Sequence, residues 1–527
     1  MANRALFKGA PGAKPRPADK VNEAGGHAYD PGAKHSLAQY AMTGTFSDAF
    51  YTTAEEQLAT VLELSTKVDS EYIAKLAVYA RDKGQMKDMP AFLCAVLAAR
   101  KDPEARQLLA QVFPKVMTNT KMLRNFVQVV RSGAVGRKSF GTSARKLVAS
   151  WITSRTADAI FRDSIGQKPS LGDVIALSHP KPSNDEQRAL FGYLRGLMDA
   201  TKKDGTTKLV DAEKLPALVK SYEAWKKDAA QPMPDLPFQM LTSSELSDAH
   251  WKTIAERANW HTLRMNLNTF ERHGVFKDKA LVKKLAAKLR DKDVLSKVRV
   301  FPYQLYTAYK YASAVDEVLR NALQDALDFV VGNVPVLEGN VVVAIDVSSS
   351  MQDPATGHRT GATSVMTCVE VASLFASCIL RTNPNVQVIA FDTSPYRMKL
   401  NPRDAVITNA EKISNVGGGG TDCSVALDAI TGPVDLVVMI SDNQSWVQNG
   451  EASPKGAQAW TRLRKKNPQA KLVCHDIQPY GDVQMYDVER QVMNIGGLGE
   501  HMFDQIRAFV AGEGPGNWVK EIENTTI

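Results

Sequence analysis

Cysteine is scarce. The 527 residues contain five (Cys94, Cys368, Cys378, Cys423 and Cys474), an odd number with no CxxC pair and most of them inside apolar runs. This excludes a disulfide-built scaffold and fits the reduced, buried thiols of a cytosolic chain. No apolar run approaches the roughly 18 residues needed to cross a bilayer, and the N-terminus lacks the continuous apolar core of a signal peptide. The expectation is a cytoplasmic protein with no membrane partner. Catalytic patterns are missing too. The nine histidines are scattered, none stands with cysteines at zinc-ligand spacing, and no Ser, His and Asp set occupies recognisable strand tips. The glycine-rich strings IGGLGEH and GGGGTD lack the strand, GxGxxG and helix order of a nucleotide fingerprint and read as turns.

Length implies two to four domains, and 44% hydrophobic residues supply ample core. Charge is unevenly shared. Residues 336–527 hold 15 Lys plus Arg against 21 Asp plus Glu, a balance of −6, which leaves 50 against 36, or +14, for residues 1–335. The first part is therefore a candidate for polyanion binding, or carries a solvated basic surface, and the second is not a candidate.

Residues 1–35 are rich in Gly, Pro, Ala and Lys, with too little apolar content to fold alone. They form either a mobile basic tail or a strap laid on another part of the chain. From residue 36 to 333 apolar positions such as Ile73, Leu76, Ala77 and Ala80 recur at helical spacing. Thr53 with Glu56 and Ser183 with Glu186 have the capping-box spacing. About fifteen or more short helices without a clear repeat suggest an α-solenoid of HEAT type; a compact bundle is the alternative, but one core rarely serves so long a segment. Residues 334–340 read as a linker. Strands and helices then alternate over 341–515, the pattern of a predominantly parallel, doubly wound sheet.

The most specific chemistry lies at 341–351, VVVAIDVSSSM. A β-branched run leads into Asp346, Ser348 and Ser350, as when a buried parallel strand opens into a polar loop at its carboxyl end, where ligands of such sheets bind. Alone, DxSxS describes a strand and a serine-rich turn equally well. Two later stretches add Thr421 after GGGG and Asp442 at the end of DLVVMISD. Strand tips of one sheet can meet at its carboxyl edge, so Asp346, Ser348, Ser350, Thr421 and Asp442 can share one hard cation, Mg²⁺ or Mn²⁺. In order and context they resemble the metal-ion-dependent adhesion site of von Willebrand factor A domains.

Longer strings are telling together. AVYARDKGQMKDMPAFLCAVLAA, NFVQVVRSGAVGRKSFGTSARKLVASWI, ALSHPKPS and MNLNTFERHGVF, with DVSSSM and SDNQSW, resemble the Ro autoantigen family, whose helical part is the TROVE module; the likeness runs from about residue 20 to 510. The resemblance implies a monomeric ring of HEAT-like helices closed by a von Willebrand factor A domain. It also implies binding of Y-type noncoding RNA on the outer surface and of single-stranded 3′ ends of misfolded RNA in the central hole, in RNA quality control. An exoribonuclease such as polynucleotide phosphorylase is the implied protein partner.

For RNA the richest segment is 121–146, where Lys121, Arg124, Arg131, Arg137, Lys138, Arg145 and Lys146 surround the glycines of RSGAVGRKSFG. Glycines let backbone approach phosphates, and a helix opening near Ser143 adds amide donors; some of these cations simply line a wet helix face. The resemblance adds His179 of LSHPKP, whose counterpart lies on the family's RNA-binding face, with Lys181 beside it. Arg162 and Lys168 fit less well, because the family's basic cluster is thinner and differently spaced here. The expected function is a non-catalytic ribonucleoprotein scaffold. A metal-dependent ribonuclease using Asp346 and Asp442 is one alternative. A protein-adhesion module, in which a partner's carboxylate completes the ion's coordination, is another.

Overall fold

The structure, a computed structural model, describes residues 17–44, 46–166, 168–201, 210–242, 244–358, 362–446, 454–485, 491–512 and 517–527. Residues 1–16 of the basic N-terminal segment thus lie outside the described residues. From Ala33 to Val331 α-helices follow one another. Their sequence logic is local. In the helix Ser70–Asp82, Ile73, Leu76, Ala77 and Ala80 are buried, as their spacing requires. In Ala54–Lys67 the box between Thr53 and Glu56 is formed on both sides. The second box expected from sequence is displaced: Asn184, not Ser183, caps the helix Asp185–Leu194, and the Ser183 amide instead donates to the Gln187 side chain at 2.9 Å.

The sheet of the α/β half runs β5-β4-β3-β6-β7-β8, with β3 Val341–Asp346, β4 Gln387–Phe391, β5 Pro395–Arg397, β6 Leu436–Ser441, β7 Lys471–Asp476 and β8 Val492–Gly496. All neighbours are parallel except the short edge strand β5, which pairs antiparallel with β4. Every residue of β3 and β6 is buried, because helices cover both faces. Alternate residues of β3 serve two cores. Val342 and Ala344 face the helices Cys423–Asp428 and Lys455–Lys466. Val341, Val343 and Ile345 join the helix Cys368–Thr382 in a core continuous with that of the helical half.

The helical path starts and ends on the α/β half. Its first helix, Ala33–Thr43, packs on β8, and its last two, Pro302–Tyr311 and Glu317–Val331, pack on Cys368–Thr382. The first and last described segments cross this seam. Two short strands near the N-terminus, β1 Lys20–Val21 and β2 His27–Ala28, lie on the α/β half, where Tyr29 bridges Val483. Residues 17–29 are therefore a strap. The C-terminal helix Trp518–Glu523, beyond the boundary expected at 515, returns to pack on Ser70–Asp82 and Ala33–Thr43. Early and late parts of the helical array also meet: Arg299 pairs with Asp82 at 2.9 Å, beside a cavity of about 480 Å³ lined by Arg81, Lys115, Thr118 and His261.

Glu500, which precedes the helix His501–Ala511, is pushed up to about 7 by burial and by Asp504. Its folded pKa lies above its unfolded value, so the stability attached to it is fully present below about pH 4.5 and is lost as pH rises through about 7. Glu500→Gln is expected to raise Tm by about 2 °C at pH 8 and to change little at pH 4.5, read by thermal denaturation at both. No helix among the described residues is long and apolar enough to cross a membrane, and all five cysteines are buried and unpaired.

Candidate cation centre and nucleic-acid face

The parallel register puts the tips of β3, β4 and β6 side by side, and the five residues singled out in sequence converge there. Asp346 ends β3; its Oδ1 accepts from the Ser348 amide at 2.9 Å and its Oδ2 from the Ser441 hydroxyl at 2.6 Å. The Ser348 and Ser350 hydroxyls are 3.3 Å apart. Thr421 is held through its carbonyl, which accepts from the Ser445 hydroxyl at 3.3 Å and the Trp446 amide at 3.2 Å. Asp442 follows β6; its Oδ1 accepts from the Gln444 amide at 3.1 Å, while its Oδ2 is buried with no hydrogen-bond partner. None of the five residues is more than 1% exposed.

Burial and the neighbouring Asp346 carboxylate push Asp442 up to about 7. Asp346 is raised as well, by burial foremost, against the Ser348 and Ser441 hydrogen bonds. No Lys or Arg is among the main causes of either shift. Buried charge in this state needs a counter-charge. The orphaned Asp442 oxygen among two carboxylates and three hydroxyls fits a hard cation of the Mg²⁺ type, which takes oxygen ligands. Among the described residues no group of three His, Cys, Asp or Glu side chains could hold a metal, so any ion here would take the hydroxyls as its remaining protein ligands.

Sequence reasoning missed the supports. Asp392, at the tip of β4, receives the Gly419 amide at 3.0 Å and so fixes the glycine run; its place at the end of VQVIAFD was the available signal. At Gly420 an added Cβ would lie 2.5 Å from the Trp446 ring, so only glycine lets that ring cover the loop. Asn22 of the strap donates to the Ser445 carbonyl at 2.8 Å, and nothing in the local sequence announces it.

The sequence-named cations divide in two. Arg124 is half-buried, its guanidinium packed on the backbone of Gly166 with Nη1 unpartnered. Arg137 donates to the carbonyls of Ser139 at 2.7 Å and Ala98 at 2.5 Å and fills the space over Gly141, whose φ of 68° also demands glycine. These two hold the protein's own turns. Lys121 is exposed, 3.9 Å from Asp88. Arg131, Lys138, Arg145 and Lys146 are exposed, and among the described residues none has a carboxylate within ion-pair distance. His179 and Lys181 are exposed as well, His179 sitting in a left-handed turn (φ 49°) that ends the helix Leu171–Ser178. That helix packs on Thr120–Ser132 and Thr142–Thr153, the two helices flanking the glycine-rich turn. Of the weaker pair, Arg162 is bound to Asp235 at 3.0 Å, and Lys168 precedes a cis proline in a left-handed turn.

A groove of about 680 Å³ opens between the helices Pro103–Val116 and Thr142–Thr153. Lys101, Arg106 and Lys146 line it, all exposed, together with Arg137 and the first turn Thr142–Ala144. The N-cap, Gly141, makes no side-chain cap bond, so the helix amides face a cationic groove, the arrangement that suits a phosphate. Lys101 and Arg106 escaped sequence reasoning because they sit one helix away from the cluster.

Residues 340–510 match the family model described as the Ro60 vWA domain. The curated protein named RNA-binding protein RO60, from Deinococcus radiodurans, is 24% identical over a 468-residue alignment covering 82% of this chain and 84% of that protein. A solved structure, the crystal structure of the Deinococcus radiodurans RO (RSR) protein, aligns with a TM-score of 0.62 at 19% identity, covering 92% of this chain and all of that one. Residues 340–510 thus form a von Willebrand factor A domain of the Ro60 type, and the chain as a whole is similar to the Ro protein of Deinococcus radiodurans in sequence and fold.

Proposed function

We propose that the protein is a non-catalytic RNA-binding scaffold whose helical half grips the phosphates of a small structured RNA. The observation that carries this reading is the groove where Lys101, Arg106 and Lys146 meet an open helix N-terminus. The relative named as an RNA-binding protein supports the same reading. Arg131, Lys138, Arg145, His179 and Lys181 extend the RNA face, and a Y-type noncoding RNA is the ligand. Single-stranded 3′ ends of misfolded RNA enter beside Arg81, Lys115 and Arg299, for quality control with an exoribonuclease such as polynucleotide phosphorylase. Phosphate contacts position RNA without reading its sequence.

The α/β half holds Mg²⁺ or Mn²⁺ through Asp346, Ser348, Ser350, Thr421 and Asp442; bound there, the ion offsets two buried carboxylates. The ribonuclease reading fares worse because residues at most 1% exposed leave a phosphodiester no approach to that ion. Labelled RNA incubated with the protein and Mg²⁺ is expected to stay intact, and Mg²⁺-dependent cleavage lost in Asp346→Ala would favour the enzyme. Mg²⁺ is expected to raise Tm by about 2–4 °C in the native chain and not in Asp346→Ala. That variant is expected to keep RNA affinity within about twofold, measured by fluorescence anisotropy, because the two sites share no residues.

A further inference from the structure

We propose that Tyr51, carried by the helical half, closes the cation centre of the α/β half, so that the ion is an internal brace between the halves. This rests on the reading that the centre takes a divalent cation. The five ligand residues are sealed, not merely recessed. What seals them comes partly from far away in the chain. The Tyr51 ring meets Tyr480 edge-on with centroids 5.8 Å apart, which sets its hydroxyl beside Ser350 and near the Asp442 and Asp346 carboxylates. Phe50, whose ring contacts Tyr51 at 4.7 Å, lies beside the Asp353 carboxylate, just past the turn that carries Ser350.

The loop that presents Tyr51 is built rather than slack. Ala49 and Thr52 pair across it at 2.9 and 3.3 Å, Asp48 Oδ1 accepts the Ala54 amide at 2.9 Å, and Gln57 donates to the Ser47 carbonyl at 2.7 Å. On the other side of Asp442 the strap adds its own hold, Asn22 on the Ser445 carbonyl and the Ala24 amide on Gln444 Oε1 at 3.3 Å. A phenol oxygen is a hard donor like the hydroxyls beside it. With the five residues at most 1% exposed, a partner's carboxylate has no open approach to them. The seal joins sequence-distant elements, so loading the ion and docking the two halves are one event, and adhesion through this centre requires the Tyr51 loop to leave.

The test is the release of Mn²⁺ from the full chain, followed after mixing with excess chelator, with water-proton relaxation of the loaded protein as a second readout. Native protein is expected to release slowly and to relax water weakly. Tyr51→Ala is expected to release at least about tenfold faster and relax water more strongly, and Tyr51→Phe, which keeps the ring, to fall between. Release from folded Tyr51→Ala and Tyr51→Phe at the native rate, with unchanged relaxation, would overturn the proposal. Native chain that takes up no Mn²⁺ dependent on Asp346 would instead remove the cation reading, and this inference with it.

Discussion

Replacing Lys101, Arg106 and Lys146 together by alanine is expected to weaken RNA binding about 30- to 100-fold at physiological salt and to flatten its salt dependence. Each cation that neutralises a phosphate releases condensed counterions, contributing about 0.7 to 0.9 to the slope of log affinity against log salt. Losing three such contacts should lower that slope by about 2 to 3. The loss should be nearly uniform across RNA sequences, since backbone contacts carry no base information. Arg137→Ala is the contrasting variant. Its guanidinium is engaged by the carbonyls of Ala98 and Ser139, so its removal should cost stability first and binding only through the loosened turn. Equal binding by the triple variant and the native chain would place the RNA elsewhere.

Trp518→Ala should have the largest effect on stability. The indole is 2% exposed, meets His35 edge-on at 5.3 Å, lies against Gly496 of β8, and donates to the Tyr79 hydroxyl at 3.3 Å. Truncating a tryptophan buried in this way costs about 3–5 kcal/mol. Here the cavity opens at the seam, because Tyr79 and His35 belong to the helical half and Gly496 to the sheet. Denaturant unfolding should therefore shift to lower midpoint, and limited proteolysis should cut between the halves before either is degraded. An unchanged midpoint would mean that the C-terminal helix only decorates the surface.

What could be read from sequence was whatever is encoded locally. The spacing of Ile73, Leu76, Ala77 and Ala80 suffices for a helix face, and the run from Val341 to Ile345 for a buried strand. The convergence of the candidate cation ligands was legible because parallel strands bring successive tips to one edge, so Asp346, Thr421 and Asp442 meet once the alternation of strand and helix is recognised. Its distant supports were not. Tyr51 and Asn22, like Trp518 at the seam, act across hundreds of residues, and no periodicity reports a partner so distant. The basic cluster was only half legible for a related reason. Composition counts charges but does not say which ones a turn has already taken up, as Gly141 and Gly166 do with Arg137 and Arg124. Ser183 and Asn184 both suit an N-cap; the choice between them follows from where Gln187 points, a tertiary matter.

The most direct measurement is the affinity of the full native chain for a small structured RNA between about 50 and 200 mM salt. A basic helical face that holds phosphates should lose affinity steeply, about 10²-fold or more over that range for five or so contacts. An affinity that stays flat across it would contradict the division of labour between a cationic helical half and a cation-holding α/β half.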